Sequence, residues 1–83
     1  MIQFKVGSYY EAADYSVDPI TIIKRTDKTV WVKNTTTEWK MRVKTKRDER
    51  SGNVTEYCVD SCVPKKWRGM YEYNAMWEVT EDE

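Results

Sequence analysis

The side chains best suited to chemistry in this chain are four cations that recur at every second position in its centre. They are Lys40, Arg42, Lys44 and Lys46. A period of two places such residues on one face of a strand. Four cations on one face can attract phosphate or carboxylate groups, so this face is a candidate anion-binding surface.

A second basic run follows a proline, and it contains Lys65, Lys66, Trp67 and Arg68. Proline is favoured at the first position of a helical turn, so the run is expected to form a short protruding turn. Turns and loops carry binding residues more often than strands do. These four residues, together with the four cations of the strand, are the predicted binding site. The alternative is that Trp67 simply covers one end of the core.

Residues that support catalysis are scarce. The chain has no histidine, so it lacks an ordinary general base at neutral pH. Its three glycines are isolated and form no phosphate-binding loop. Cys58 and Cys62 are the only cysteines, and two thiols with carboxylates make a poor zinc site. We therefore predict a protein that is not an enzyme and that binds no cofactor and no metal.

Composition favours a cytoplasmic location. No window holds the roughly 20 apolar residues that a membrane-spanning helix needs. The first residues lack the basic-then-apolar order of a signal peptide. The two cysteines are expected to remain free thiols, with Cys58 acting as a small buried or half-buried hydrophobic residue.

Charge is balanced overall but unevenly distributed. The 14 cationic and 14 acidic side chains cancel, yet the centre is basic and the chain ends in Glu81, Asp82 and Glu83. Two interpretations remain open. Either one face attracts anions, or the basic and acidic parts neutralise each other within the fold.

The central segment predicts a β-hairpin between Trp39 and Asp60. Residues 39–47 and 54–60 alternate in polarity, and the loop Arg50–Gly52 offers a glycine where a positive φ is needed. Matching apolar and opposite charges selects one register. It pairs Val43 with Val59, Thr45 with Tyr57, Lys46 with Glu56, and Arg42 with Asp60. In this register Met41, Val43, Tyr57 and Val59 point inward.

The remaining segments predict four more strands and one helical turn. The first strand covers residues 3–10 with a bend at Gly7, residues 20–23 and 29–32 form a pair of strands, and residues 70–73 and 75–79 form a last strand. One short helical turn lies near residues 64–69. Residues 1–79 are expected to form a single domain, followed by a disordered acidic tail at 80–83.

Five or six short strands in a meander predict a small all-β domain. Closing the sheet removes the exposed edges that a chain of this length cannot otherwise protect. An SH3-like barrel is the preferred architecture, with an OB-like barrel and a flat open meander as alternatives. The four tryptophans and six tyrosines either fill the core or form an exposed binding face.

Three stretches give the chain a family resemblance: residues 4–10, residues 22–32, and the basic strand with Glu56 and Tyr57. Together they resemble short uncharacterised proteins carried by bacterial phages and conjugative elements. The resemblance implies a mobile-element context and no known catalytic activity, and it assigns no functional residues. Small phage proteins, anti-CRISPR proteins among them, are often inhibitors or adaptors of host machinery.

Two functions follow as expectations. The first is a protein-interaction module, an adaptor or an inhibitor, which binds a protein partner or a second copy of itself through aromatic and arginine side chains. The second is a nucleic-acid-binding barrel that uses the basic face of the sheet. No membrane partner is expected. Salt separates the two functions, because nucleic-acid binding weakens steeply as salt rises.

Overall fold

A computed structural model describes residues 1–60 and 62–79 of the chain. Seven antiparallel strands form one sheet in the order β4-β3-β2-β1-β7-β6-β5. The strands are β1 (Tyr9–Ala12), β2 (Ile20–Arg25), β3 (Thr29–Lys33), β4 (Glu38–Arg42), β5 (Lys44–Arg47), β6 (Val54–Val59) and β7 (Glu72–Glu78). The predicted all-β class is confirmed, but the prediction of five or six strands is wrong.

The core is formed by the side chains that point to the inner face of this sheet. The period of two is clear in β3, since Val30 and Val32 are fully buried while their neighbours are partly exposed. The core consists of Phe4, Tyr10, Ala12, Ile20, Ile22, Val30, Val32, Met41, Cys58, Tyr73 and Ala75. The Phe4 and Tyr10 rings pack edge to face, with their centroids 4.9 Å apart.

The tryptophans do not fill this core. None of the four is a buried core residue, although Trp39 packs against the core from its edge. Trp67 is 45% exposed. The interpretation of the aromatic residues as core therefore holds for Phe4 and two tyrosines and is wrong for the tryptophans.

A β-bulge in β2 decides where its two cations point. Ile22 pairs with Val32, but the next pairs are Lys24 with Trp31 and Arg25 with Val30, so Ile23 is an extra residue. The shift leaves Lys24 outside, with its Nζ atom 4.9 Å from the centroid of the Trp31 ring. Arg25 instead lies opposite the buried Val30 and reaches the inner side.

The first predicted strand is confirmed only in its last residues. β1 is Tyr9–Ala12, after a turn in which Gly7 has a φ of +89°, and residues 3–6 are not part of a strand. Ile2 forms an isolated parallel bridge with Thr55, because the Ile2 N–H donates to Val54 and the Glu56 N–H donates to Ile2. The segment thus lies beside β6, and its main-chain groups are satisfied there.

The predicted hairpin exists between β5 and β6, but its register is wrong by one residue. Lys44 lies opposite Tyr57 and Thr45 opposite Glu56. The loop has four residues, because the Asp48 N–H donates to Asn53 and the Gly52 N–H donates to the carbonyl of Asp48. Gly52 has the predicted positive φ, at +75°.

This shift reverses the faces of β6. Cys58 and Glu56 are buried, whereas Tyr57 and Val59, which were expected to point inward, are half-buried. The predicted pairs of Lys46 with Glu56 and of Arg42 with Asp60 do not form. Cys58 is buried as expected.

The predicted basic strand is broken at Val43. β4 pairs with β3, and β5 pairs with β6, so the two edge strands of the sheet are consecutive in sequence. The Val43 N–H donates to the carbonyl of Lys28, 2.8 Å away, which keeps this part of the chain beside the β2–β3 turn. β4 and β6 are in contact, but no ladder joins them within the described residues, so the sheet is curved without being closed.

The predicted helical turn is a 3-10 turn at Lys65–Trp67, preceded by Pro64. The last strand runs from Glu72 to Glu78, within the predicted span of residues 70–79, and it buries Tyr73 and Ala75. The predicted tail at 80–83 lies outside the described residues. No helix in the described part of the chain is long and apolar enough to cross a membrane.

Candidate functional site

A surface groove of about 660 Å³ lies beside β4. Among the described residues, its lining contains five cationic side chains and no carboxylate. The lining residues are Lys28, Thr29, Lys40, Met41, Arg42, Lys44, Val59 and Arg68. We call it the cationic groove.

Four structural elements place the five cations around this groove. Lys40 and Arg42 share the outward face of β4, because Met41 between them is buried. Lys44 begins β5 after the break, Lys28 lies in the β2–β3 turn, and Arg68 follows the 3-10 turn. These cations therefore come from sequence positions far apart, and the curvature of the sheet brings them together.

None of the five groove cations has a carboxylate partner within residues 1–60 and 62–79. The ion pairs there join Lys5 to Glu78, Arg25 to Glu56, and Lys46 to Glu72. Arg68 uses its Nε–H for the carbonyl of Val63, at 3.4 Å, which leaves the rest of its guanidinium for other acceptors. Cations without built-in counterions are free to attract an external anion.

Four of the eight predicted binding residues line the groove, namely Lys40, Arg42, Lys44 and Arg68. Lys46 does not, because it pairs with Glu72 at 2.6 Å and lies over the Tyr57 ring. Lys65, Lys66 and Trp67 form the 3-10 turn and are exposed outside the groove lining. The Lys66 Nζ atom lies 5.1 Å from the centroid of the Trp67 ring.

Lys28 is the groove cation that the sequence interpretation missed. In the sequence, Lys28 is only one residue of a polar turn. It lies near the basic strand because its neighbour Thr29 pairs with Arg42. The other cations of β2 and β3, Lys24, Arg25 and Lys33, do not line the groove. Lys24 covers Trp31, Lys33 lies opposite Glu38, and Arg25 points inward.

Arg25 lines a second pocket, which also includes Val43. This pocket, of about 480 Å³, shares Lys28, Arg42 and Lys44 with the cationic groove but also contains Arg25, Asp27 and Glu56. We call it the N-terminal pocket, since Met1 and Gln3 contribute to its lining.

A buried ion pair holds the N-terminal pocket together. Glu56 is 2% exposed and accepts two hydrogen bonds from the Arg25 guanidinium, at 2.8 and 2.9 Å. It also accepts the Phe4 N–H, and Arg25 donates to the Phe4 carbonyl. Burial alone would raise the pKa of Glu56, but these hydrogen bonds and the Arg25 charge outweigh it and lower the pKa.

The two thiols differ in environment. Burial, reinforced by the charge of Glu56, raises the pKa of Cys58 to about 12, so this thiol is inert at neutral pH. Cys62 is exposed. Within the described residues, no three histidine, cysteine or acidic side chains are grouped as metal ligands.

Comparison with protein-family models, with curated protein sequences and with solved structures gave no match. The functional argument therefore rests on the residues and geometry of the chain itself.

Proposed function

We propose that this protein is a non-enzymatic protein-binding module whose cationic groove receives an acidic segment of a partner protein. The observation that carries the proposal is a lining of five cations with no carboxylate among the described residues. The half-buried Val59 adds apolar surface at the same place, so the groove offers both charge attraction and a hydrophobic contact.

The chain's overall charge favours a protein partner over nucleic acid. Formal net charge is zero and the isoelectric point is near 6.3, whereas nucleic-acid-binding domains are typically strongly basic. A locally cationic groove on a neutral molecule fits a short acidic segment better than a long polyanion. On the resemblance to phage and conjugative-element proteins, we propose that the partner is a host protein in the bacterial cytoplasm.

One observation supports a second candidate, the binding of single-stranded nucleic acid in the same groove. Trp31 lies directly opposite Lys40 across the β3–β4 ladder, so an aromatic ring adjoins the cations. Stacking of bases on such rings next to a basic groove is the usual mode of single-strand binding.

A direct binding assay separates the two candidates. Fluorescence anisotropy would compare a labelled peptide of alternating Glu and Val with labelled oligo(dT), at low and high salt. The Lys40→Glu/Arg42→Glu variant should weaken peptide binding by about a hundredfold, since two charge contacts of about 1.5 kcal/mol each are lost.

The matched control is Lys33→Glu/Arg50→Glu, which changes net charge equally at two exposed positions outside the groove lining. It should keep most of the affinity. Binding of oligo(dT) without binding of the peptide would replace the protein-binding proposal with the nucleic-acid candidate. Equal losses in both variants would show that the groove is not the site.

We also propose an SH3-like architecture, a barrel that remains open between β4 and β6. Its support is that the two edge strands are consecutive in sequence and that β4 contacts β6.

A further inference from the structure

The free edge of β4 has main-chain groups that face the cationic groove. In the β3–β4 hairpin the Asn34 N–H donates to Thr37, and the Val43 N–H donates to Lys28. Hydrogen-bonded and non-bonded pairs alternate along an antiparallel ladder. Val32 with Trp39 and Val30 with Met41 are therefore the bonded pairs.

Lys40 and Arg42 occupy the non-bonded positions between them, opposite Trp31 and Thr29. Their N–H and C=O groups consequently point away from β3, toward the edge that the groove borders. No hydrogen bond to another described residue uses these groups. Lys40 and Arg42 thus offer both their cationic side chains and their main-chain donors and acceptors at one site.

The break at Val43 explains why, among the described residues, this edge has no partner strand. The β5–β6 register, continued past Lys44 and Tyr57, would place Arg42 opposite Val59. The chain instead turns at Val43 and follows β3, so β4 contacts β6 without forming a ladder. Both Arg42 and Val59 line the groove between them.

We propose that the acidic segment binds as an extended strand along this edge, pairing its main chain with Lys40 and Arg42. This inference rests on the proposed protein-binding function and specifies its mode. An extended peptide supplies both N–H and C=O groups to an open sheet edge, whereas phosphates can only accept. The unpaired carbonyls of β4 therefore favour a peptide.

The alternation of faces also specifies the sequence of the bound segment. Residues of an added strand that lie beside Lys40 and Arg42 share their outward face, so those positions suit Asp or Glu. The positions between them point to the same side as the buried Met41, so they suit Val, Ile or Thr. The ligand is thus an acidic–apolar alternating segment.

Amide hydrogen exchange measured by NMR tests the strand pairing directly. Addition of the alternating Glu–Val peptide should slow exchange at the Lys40 and Arg42 amides about tenfold, as expected when each gains a hydrogen bond. The amides of Trp39 and Met41 are internal controls, because they already bond to β3 and should change little.

Two matched pairs sharpen the test. A peptide N-methylated at alternate main-chain nitrogens keeps its charges but cannot donate, and it should bind about tenfold more weakly. Lys40→Pro and Lys40→Gln both remove the charge, but only proline also removes the N–H at the edge. Lys40→Pro should therefore bind more weakly than Lys40→Gln.

The outcomes distinguish the proposed strand pairing from the proposed binding of an acidic segment. Slower exchange at Lys40 and Arg42 supports strand pairing. If the peptide binds but these amides are unchanged, or if the N-methylated peptide binds equally well, strand pairing is overturned and the proposed function stands. If no acidic peptide binds, both are overturned.

Discussion

The cationic groove and the N-terminal pocket share Lys28, Arg42 and Lys44, yet their charges are arranged differently. In the N-terminal pocket, Glu56 is buried and accepts hydrogen bonds from Arg25 and the Phe4 N–H. No carboxylate in the described part of the chain lines the cationic groove. The comparison shows how one protein uses cations for two purposes: Arg25 stabilises the fold, and the groove cations remain available for a ligand.

The largest effect should come from breaking the buried pair. Arg25→Met leaves the Glu56 carboxylate buried without its partner, which should cost about 3–5 kcal/mol of the free energy of unfolding. Arg42→Met, the matched change in the groove, should cost less than about 0.5 kcal/mol, because its guanidinium is exposed and has no ion pair among the described residues. Urea denaturation measures both, and similar losses would contradict the distinction between the two pockets.

Acid should have the second largest effect, by removing the contribution of Glu56 to the free energy of unfolding. The pKa of Glu56 is lower in the folded chain than its ordinary value of 4.5, so the unfolded chain binds the proton more readily. The stability that this group contributes is present above that ordinary value and is lost as pH falls through the lowered folded pKa. Urea midpoints measured across this range should fall more steeply for the natural chain than for Glu56→Gln, and parallel curves would refute the assignment.

Removing an exposed ion pair should have a smaller effect. Lys46→Met removes the ion pair with Glu72. Because the Lys46 side chain is 45% exposed, the loss should be about 0.2–1 kcal/mol of the free energy of unfolding. The loss should shrink at high salt, because salt screens exposed charges more than buried ones. A loss as large as that of Arg25→Met would show that the Lys46–Glu72 pair stabilises the fold as much as the buried Arg25–Glu56 pair does.

The smallest effect on stability should follow Cys62→Ser, with a change below about 0.5 kcal/mol at this exposed site. In the folded natural chain a thiol reagent should modify Cys62 readily, while Cys58 reacts only after unfolding. Mass spectrometry after brief labelling counts the modified thiols. Rapid modification of Cys58 would mean that the core beside Glu56 opens without global unfolding.

Local pattern predicted β2, β3 and the turn after Pro64 well, because β-branched runs and proline act through the backbone of a few neighbouring residues. The hairpin register was harder. The Asp48 carboxylate accepts hydrogen bonds from the Ser51 N–H and hydroxyl, at 3.0 and 2.7 Å, and this capped loop has one more residue than predicted. One residue is enough to exchange the faces of β6.

The candidate site was predicted in part. Lys40, Arg42 and Lys44 follow from simple alternation, and Arg68 from its place after a helical turn. Lys28 could not be predicted in this way, since its position near the groove depends on the pairing of β3 with β4. The buried Glu56 also escaped prediction, because it was assigned to a surface charge pair with Lys46.

By itself the sequence determined the all-β class, the positive φ at Gly52 and the shared face of Lys40 and Arg42. Each of these depends on backbone sterics or on a period of two, which act over a few residues. Only the tertiary structure decided the break at Val43, the inward turn of Arg25 after the bulge, and the open edge beside the groove. These features depend on which strands pair, and pairing is set by contacts between residues far apart in the chain.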